Sequence, residues 1–245
     1  MIGLLTGAGL FLGVLAACGI YDVSRNRGRD AALLRRYFTG NGLWTWALSP
    51  LNTLIDLLCL PHVNRGIYRL EDLPPAYRAE VQDLIDAARD ADVVGAMEAA
   101  IRDNPRTMVF FQWYGAPVPG PIDLPVLRKR YRFIKTVGVS VFNRKQSTSK
   151  HFGPLRVTLR VLYNLDDATD RSAYIEVGDV THHWQDEKLF IFDDTLMHRS
   201  VNASDRPRTC LFVDILRPSP VTPLLAGMVH ALRIALRGVK HVFYR

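Results

Sequence analysis

Cysteine is scarce in this chain of 245 residues. Cys18, Cys59 and Cys210 form no C-x-x-C pair, so neither a disulfide scaffold nor a zinc ribbon is supported. Glycine (17) and proline (14) are too few for a collagen-like or low-complexity chain. No internal repeat is present, which excludes a repeat architecture. Residues 1–21 carry no charged side chain, so the Lys or Arg that usually opens a signal peptide is missing. What remains suits one ordinary domain with extra segments: 48% hydrophobic, 22% charged, with 4 Trp, 9 Tyr and 11 Phe. That composition excludes a disordered chain and is enough for a core without staples. The net charge of +7 predicts an acidic neighbour: nucleic acid, an anionic membrane or an anionic substrate.

The uncharged start reads as a membrane anchor. As a helix, residues 1–21 span about 32 Å, against a hydrocarbon core of roughly 30 Å. Gly3, Gly7, Gly9 and Gly13 are frequent for a soluble helix. Arg25, Arg27, Arg29, Arg35 and Arg36 follow Asp22, and the positive-inside tendency puts the body in the cytoplasm. The expectation is a single-pass protein of a bacterial inner membrane. A cleaved lipoprotein signal ending at Leu15-Ala16-Ala17-Cys18 is the rival reading, opposed by the bare amino terminus and the trailing arginines. Residues 43–60, with Trp44, Trp46 and Pro50, read either as an interfacial segment or as a buried helix. Residues 223–245 place Leu225, Met228, Val229, Leu232, Leu236 and Val239 on one helical face and Arg233, Arg237 and Lys240 on another. This suits a basic amphipathic helix lying in an anionic leaflet, or one packed on the domain. His230 and His241 belong to it and are not expected to be ligands.

The expected domains are 1–21 (anchor), 22–130 (basic connector and helical region), 131–218 (β core) and 219–245 (C-terminal helix). Residues 76–101 read as helical, interrupted at Gly95. Strands are expected at 136–143, 156–165, 172–177, 188–192, 198–201 and 208–216. Arg156, Thr158 and Arg160 alternate with Val157, Leu159 and Val161, which assigns them to opposite faces. No helical crossover separates these strands, so a mainly β, barrel-like sandwich is expected and not a parallel α/β sheet. His182 and His183 fall in a turn and are expected to be exposed.

Two histidines and two arginines stand out on this sandwich. His151 precedes the alternating strand, with Arg160 nine residues on; His198 precedes the final strands, with Arg208 ten residues on. Ferrous iron accepts imidazole ligands and leaves positions open for substrate and O2. A 2-oxoacid cosubstrate needs a buried cation for its distal carboxylate, and Arg suits that task.

The stretches HFGPLRVTLRVLYNL (151–165), WQDEKLFIFDDTLMHRSVN (184–202) and RTCLFVDILRP (208–218) resemble the aspartyl/asparaginyl β-hydroxylase family. The resemblance covers roughly residues 130–218. It implies a double-stranded β-helix (jelly roll, cupin-like) with flanking helices, Fe(2+) and 2-oxoglutarate as cofactors, and O2 as co-reactant. It implies His151 and His198 as iron ligands, Arg208 and Ser140 on the distal 2-oxoglutarate carboxylate, and Arg160 on the metal-side carboxylate. Asp194 matches the family and stands behind the metal; a turn-capping role is the alternative. Gly153 occupies the position where most such oxygenases carry a carboxylate ligand, which leaves the site open to a water or a halide. Leu162 replaces a His that the family often has.

The apolar start selects among family members. A membrane-bound chain resembles the branch of bacterial lipid A 2-hydroxylases and ornithine-lipid hydroxylases, so the expected substrate is a membrane lipid acyl chain and the expected partner a bilayer. An aspartyl/asparaginyl β-hydroxylase acting on a peptide or protein is the alternative, and no nucleic-acid partner is expected. Arg128, Lys129, Arg130 and Lys150 form the expected headgroup rim, or else a solvated basic surface.

Overall fold

The computed structural model describes residues 2–26, 30–101, 104–120 and 122–236, with the side chains of 2–6, 8 and 99–101 outside that description. In chain order the helices are α1 (Ile2–Ser24), α2 (Ala31–Arg35), α3 (Leu43–Ala47), α4 (Ser49–Leu58), α5 (Pro75–Asp90), α6 (Val93–Ile101) and α7 (Thr222–Ala235). The strands are β1 (Ile67–Tyr68), β2 (Arg106–Trp113), β3 (Ala116–Pro117), β4 (Ile134–Phe142), β5 (Gln146–Ser147), β6 (Thr158–Asn164), β7 (Ala173–Val177), β8 (Val180–His183), β9 (Leu189–Phe192), β10 (His198–Asn202) and β11 (Arg208–Leu216).

The strands form two antiparallel sheets. The larger runs β1-β9-β6-β11-β4-β2-β3 and the smaller β5-β10-β7-β8. From β4 onward the chain passes back and forth between them, the winding of a jelly roll. The mainly β, cupin-like core is therefore as expected. The six expected strands all form within two residues of their bounds, β6 starting after Arg156. That residue stands in the turn before β6, so it does not share a strand face with Arg160.

Period-two alternation gives the large sheet two working faces. Val137, Val139, Val141, Leu159, Val161, Ile191, Leu211, Val213 and Ile215 meet the helices in the main core. The other face looks into the sandwich. It carries Ser140, Arg160, Leu162, Asn164, Phe190, Phe192, Arg208, Cys210, Phe212 and Asp214, as the cross-strand pairs require. Ala173, Ile175 and Val177 of β7 close this space from the small sheet. Helix α5 joins the main core through Tyr77, Val81, Leu84, Ile85 and Ala88 at helical spacing. The break between α5 and α6 falls at Ala91–Asp92 and not at Gly95: the Asp92 carboxylate accepts from the Gly95 N–H and starts α6.

The transmembrane expectation for residues 1–21 is corrected. Among the described residues no helix is long and apolar enough to cross a membrane. Met1 and the side chains of 2–6 and 8 lie outside the description. From Leu15 onward one face of α1 is packed on protein: Leu15 and Val23 are buried, and Asp22 is 2% exposed. The Leu15 carbonyl accepts from Ser49 Oγ on α4 at 3.4 Å. Leu10, Phe11, Leu12, Val14, Ile20 and Tyr21 are exposed. Residues 43–60 are likewise two-faced, with Thr45, Ser49, Asn52 and Ile55 buried and Leu43, Trp44, Leu54 and Leu57 exposed. Pro50 starts α4 and does not break it, since the first helical turn needs no proline N–H. At the other end, Leu225 and Val229 bury α7 in the main core, so this face is packed on the domain. Arg237, Lys240 and His241 lie outside the described residues.

Candidate metal and anion site

His151 and His198 are brought together across the sandwich. Each backbone N–H donates to the other's carbonyl, at 3.0 and 2.9 Å, and the ring centroids are 4.3 Å apart. Their Nδ1 atoms lie 2.8 Å from the Ser149 and Leu196 carbonyls respectively. A carbonyl only accepts, so both Nδ1 atoms carry the proton and both Nε2 atoms keep a bare lone pair. That is the tautomer a metal-binding histidine needs. Burial, and next the facing His151, push the His198 imidazole down to about 3. Burial also lowers His151, with Arg160, Arg36 and Arg106 adding to the effect. Both rings are neutral at neutral pH. Among the described residues no group of three or more His, Cys, Asp and Glu side chains gathers to hold a metal.

Asp194 stands beside this pair. It is buried, its Oδ2 is 3.1 Å from an Arg160 nitrogen, and its Oδ1 has no hydrogen-bond partner. Burial raises its carboxyl to about 7, against the pull of Arg160 and with the push of Asp214 and Asp193. A Cβ at Gly153 would fall 2.7 Å from Asp194 Cγ and Oδ2, so glycine is required at this position. Arg160 also donates from Nε to Asp214 at 2.9 Å and lies over the Phe212 ring at 4.0 Å.

Arg208 lies further along the same inner face, 4% exposed, with its guanidinium over Phe142 at 4.6 Å and Trp184 at 5.4 Å. Its Nε and one terminal nitrogen are buried without a hydrogen-bond partner. Ser140 shares this face one cross-strand pair away, opposite Cys210. Further buried polar atoms without partners are Thr136 Oγ1, Ser200 Oγ and Trp184 Nε1, each on a residue bordering the same interior. Orphaned buried donors are rare and call for an explanation. Here they mark a polar lining with a cation at one end and two bare imidazole nitrogens at the other. The donor set thus fits a metal of borderline softness together with a small dianion. A cavity of about 600 Å³ opens at the Arg208 end, lined in part by Asn164, Asp166, Arg206 and Arg208 and not by the histidines.

Three of the four expected rim residues lie elsewhere. Arg128 donates to the Val118 carbonyl and covers Phe111, and Lys129 pairs with Asp83 of α5 at 2.7 Å. Arg130 is exposed beside them. All three sit on the helix side of the large sheet, because Phe111 and Leu127 anchor that stretch in the main core. Lys150 adjoins His151, but its ammonium faces Glu176 at 3.3 Å. His182 is not a free turn residue either. It is on β8, half-buried, stacked on Phe190 at 4.5 Å and edge-on to Trp184.

Sequence reasoning missed the charged hub beneath the site. Arg156, fully buried, pairs with Asp22 at 2.8 Å, Asp56 at 2.6 Å and Asp193 at 3.3 Å. Arg25 reaches Asp193 at 2.8 Å, and Arg217 reaches Asp56 at 2.5 Å. The two flanking arginines draw Asp193 well below the usual carboxylate range despite its burial. Asp22 was the available signal: a lone acid ending an apolar run needs a partner.

The profile of the Aspartyl/Asparaginyl beta-hydroxylase family matches residues 121–218. An ornithine lipid ester-linked acyl 2-hydroxylase from Rhizobium tropici is 34% identical over 87 residues, covering 35% of this chain and 31% of that enzyme. The match therefore spans about a third of that relative's length. Among solved structures, a protein from Thermus thermophilus aligns with 50% of this chain and 95% of its own, at 15% identity and a TM-score of 0.33. A cupin superfamily protein from Desulfitobacterium hafniense aligns with 47% and 81%, at 10% identity and a TM-score of 0.31. Residues 121–218, which carry both histidines and both arginines, are thus similar to the aspartyl/asparaginyl β-hydroxylase family.

Proposed function

We propose that the chain is an Fe(2+)- and 2-oxoglutarate-dependent dioxygenase that hydroxylates an acyl chain of a membrane lipid. One observation carries the cofactor assignment. Arg208 is a buried guanidinium with unpartnered nitrogens on the inner face of the large sheet, and two imidazoles with bare Nε2 atoms stand on the small-sheet side. His151 and His198 would hold the iron, Arg208 with Ser140 the distal carboxylate, and Arg160 the carboxylate nearer the metal. The bound metal with its cosubstrate and O2 supplies the oxidising power for an unactivated C–H bond. The chain's own residues do the rest. The Ser149 and Leu196 carbonyls fix both tautomers. Phe190, Phe192, Phe212 and Leu162 give the interior a largely apolar wall that keeps water from the reacting centre.

The lipid substrate is supported by the similarity to the ornithine lipid hydroxylase and by the exposed apolar residues of α1, α3 and α4. Contiguous apolar faces of this kind suit a bilayer surface better than water. We place the chain on the cytoplasmic leaflet, whose anionic lipids attract the basic stretch 25–36.

Lipid mass spectrometry of cells with and without the gene tests the reading. An acyl chain carrying one added oxygen atom only when the gene is present is the expected result. An unchanged lipid profile overturns the substrate. His198→Ala that retains 2-oxoglutarate turnover overturns the metal assignment.

A further inference from the structure

The segment carrying His151 is hydrogen-bonded along both edges. Its odd residues face the second histidine's strand: His151 exchanges backbone bonds with His198, and the Gly153 N–H donates to the Asp194 carbonyl at 2.7 Å. Its even residues face side chains of the N-terminal helical layer. The Lys150 carbonyl accepts from Arg36. Asn41 Nδ2 donates to the Phe152 carbonyl, and Asn41 Oδ1 accepts from the Phe152 N–H, both at 2.9 Å. Asn52 Nδ2 donates to the Pro154 carbonyl at 3.2 Å, and Asn52 Oδ1 accepts from the Arg156 N–H at 2.8 Å. Two primary amides thus imitate the peptide groups of a missing neighbouring strand.

The same layer grips the other histidine. Asn26 Oδ1 accepts from the Met197 N–H at 2.8 Å, one residue before His198. The buried hub of Arg156 with Asp22, Asp56 and Asp193 locks α1 and α4 against these segments. Phe152 adds its ring against Tyr37 at 5.2 Å.

We infer that Asn26, Asn41 and Asn52 are positioning residues for the metal site, acting through the backbones on which His151 and His198 stand. The N-terminal helical layer is then part of the catalytic unit and not a detachable anchor. This inference rests on the two histidines binding metal, as proposed above. It adds that the spacing of the two rings is set from outside the sandwich. Outer-shell partners of metal ligands commonly control affinity about 10–100-fold when removed.

The test uses the full chain and Co(II) as the probe, read by its visible absorption and by titration calorimetry, with thermal melting measured alongside. Wild type binds Co(II), and His198→Ala loses it. Asn41→Ala and Asn52→Ala weaken Co(II) binding at least about tenfold and alter the absorption spectrum at temperatures where they remain folded. Ile55→Ala is the control. It lies on α4 beside Asn52, is fully buried in the main core, and has no hydrogen bond to the histidine segments. It lowers the melting temperature and leaves the Co(II) affinity and spectrum unchanged. Asn26→Ala, which removes one acceptor from the histidine segment and two long Nδ2 bonds to carbonyls of α1, provides the same measurement in a milder variant. Wild-type Co(II) affinity and spectrum in folded Asn41→Ala, Asn52→Ala or Asn26→Ala overturn the inference while leaving the metal reading intact. A wild type that binds no Co(II) overturns both.

Discussion

Arg208→Met is expected to stabilise the ligand-free protein while abolishing its response to 2-oxoglutarate. Two guanidinium nitrogens of Arg208 are buried without partners, and each unmade bond of that kind costs about 1–3 kcal/mol. The rings of Phe142 and Trp184 return part of this, about 1–2 kcal/mol each for a desolvated cation. Methionine keeps the unbranched stem against both rings, removes the unpaired donors, and its sulfur regains about 0.3–1.5 kcal/mol from the aromatics. The net gain is about 1–2 kcal/mol, in line with the replacement of buried charge by apolar groups elsewhere. For a chain of this size that corresponds to a rise of roughly 2–8 °C in melting temperature. Wild type gains about 2.7 kcal/mol at a hundredfold excess of 2-oxoglutarate over its dissociation constant, measured with Co(II) present, and Arg208→Met gains none. Thermal melts with and without the two ligands check both halves. A variant that melts lower and still shifts with 2-oxoglutarate would refute the assignment of Arg208 as the anion's buried partner.

Gly153→Asp does not rebuild a three-ligand site. Its Cβ would meet Asp194 at 2.7 Å, so a melt shows a loss of about 1–3 kcal/mol from overpacking and Co(II) titration shows weaker binding. Tighter Co(II) binding would contradict this. Asp194→Asn separates the pH dependence of one carboxyl. Folded Asp194 titrates at about 7 because of burial. An unfolded Asp titrates near ~4. The folded state therefore holds the extra proton in between. Its contribution is full below ~4 and is lost as pH rises through about 7. Urea melts of metal-free protein should show the variant gaining on wild type as pH rises over that window, by at most about 1.4 kcal/mol per pH unit; a constant difference would refute the titration. Arg156→Ala strips the buried Asp22 and Asp193 and the partly buried Asp56 of their shared cation and should cost about 3–5 kcal/mol in urea melts, far beyond an exposed arginine.

The β core was legible because its signal is local. Alternation in 158–164 and 208–216 specifies which side chains enter the sandwich. The spacings from His151 to Arg160 and from His198 to Arg208 carry the site. The helical layer was not legible for a complementary reason. Hydropathy over residues 1–21 is a property of composition, and it is the same whether lipid or protein covers the helix. Asp22 finds Arg156, a residue 134 positions away, only in the folded chain. The basic stretch 128–130 misled in the same way: sequence proximity to His151 does not place it beside the imidazoles, since the large sheet stands between them.

Sequence alone determined where six core strands run and which face of its strand Arg160 takes, since period-two geometry acts within a few residues, while the spacing of His151, His198, Arg208 and Ser140 carried the resemblance. Only the tertiary structure decided that α1 docks on the domain, and that Gly153 is glycine because Asp194 fills the space its Cβ would need. It also decided that Asn26, Asn41 and Asn52 complete the hydrogen bonds of both histidine segments. Those outcomes depend on groups distant in the chain meeting in a buried, low-dielectric place, where each polar atom must find a partner.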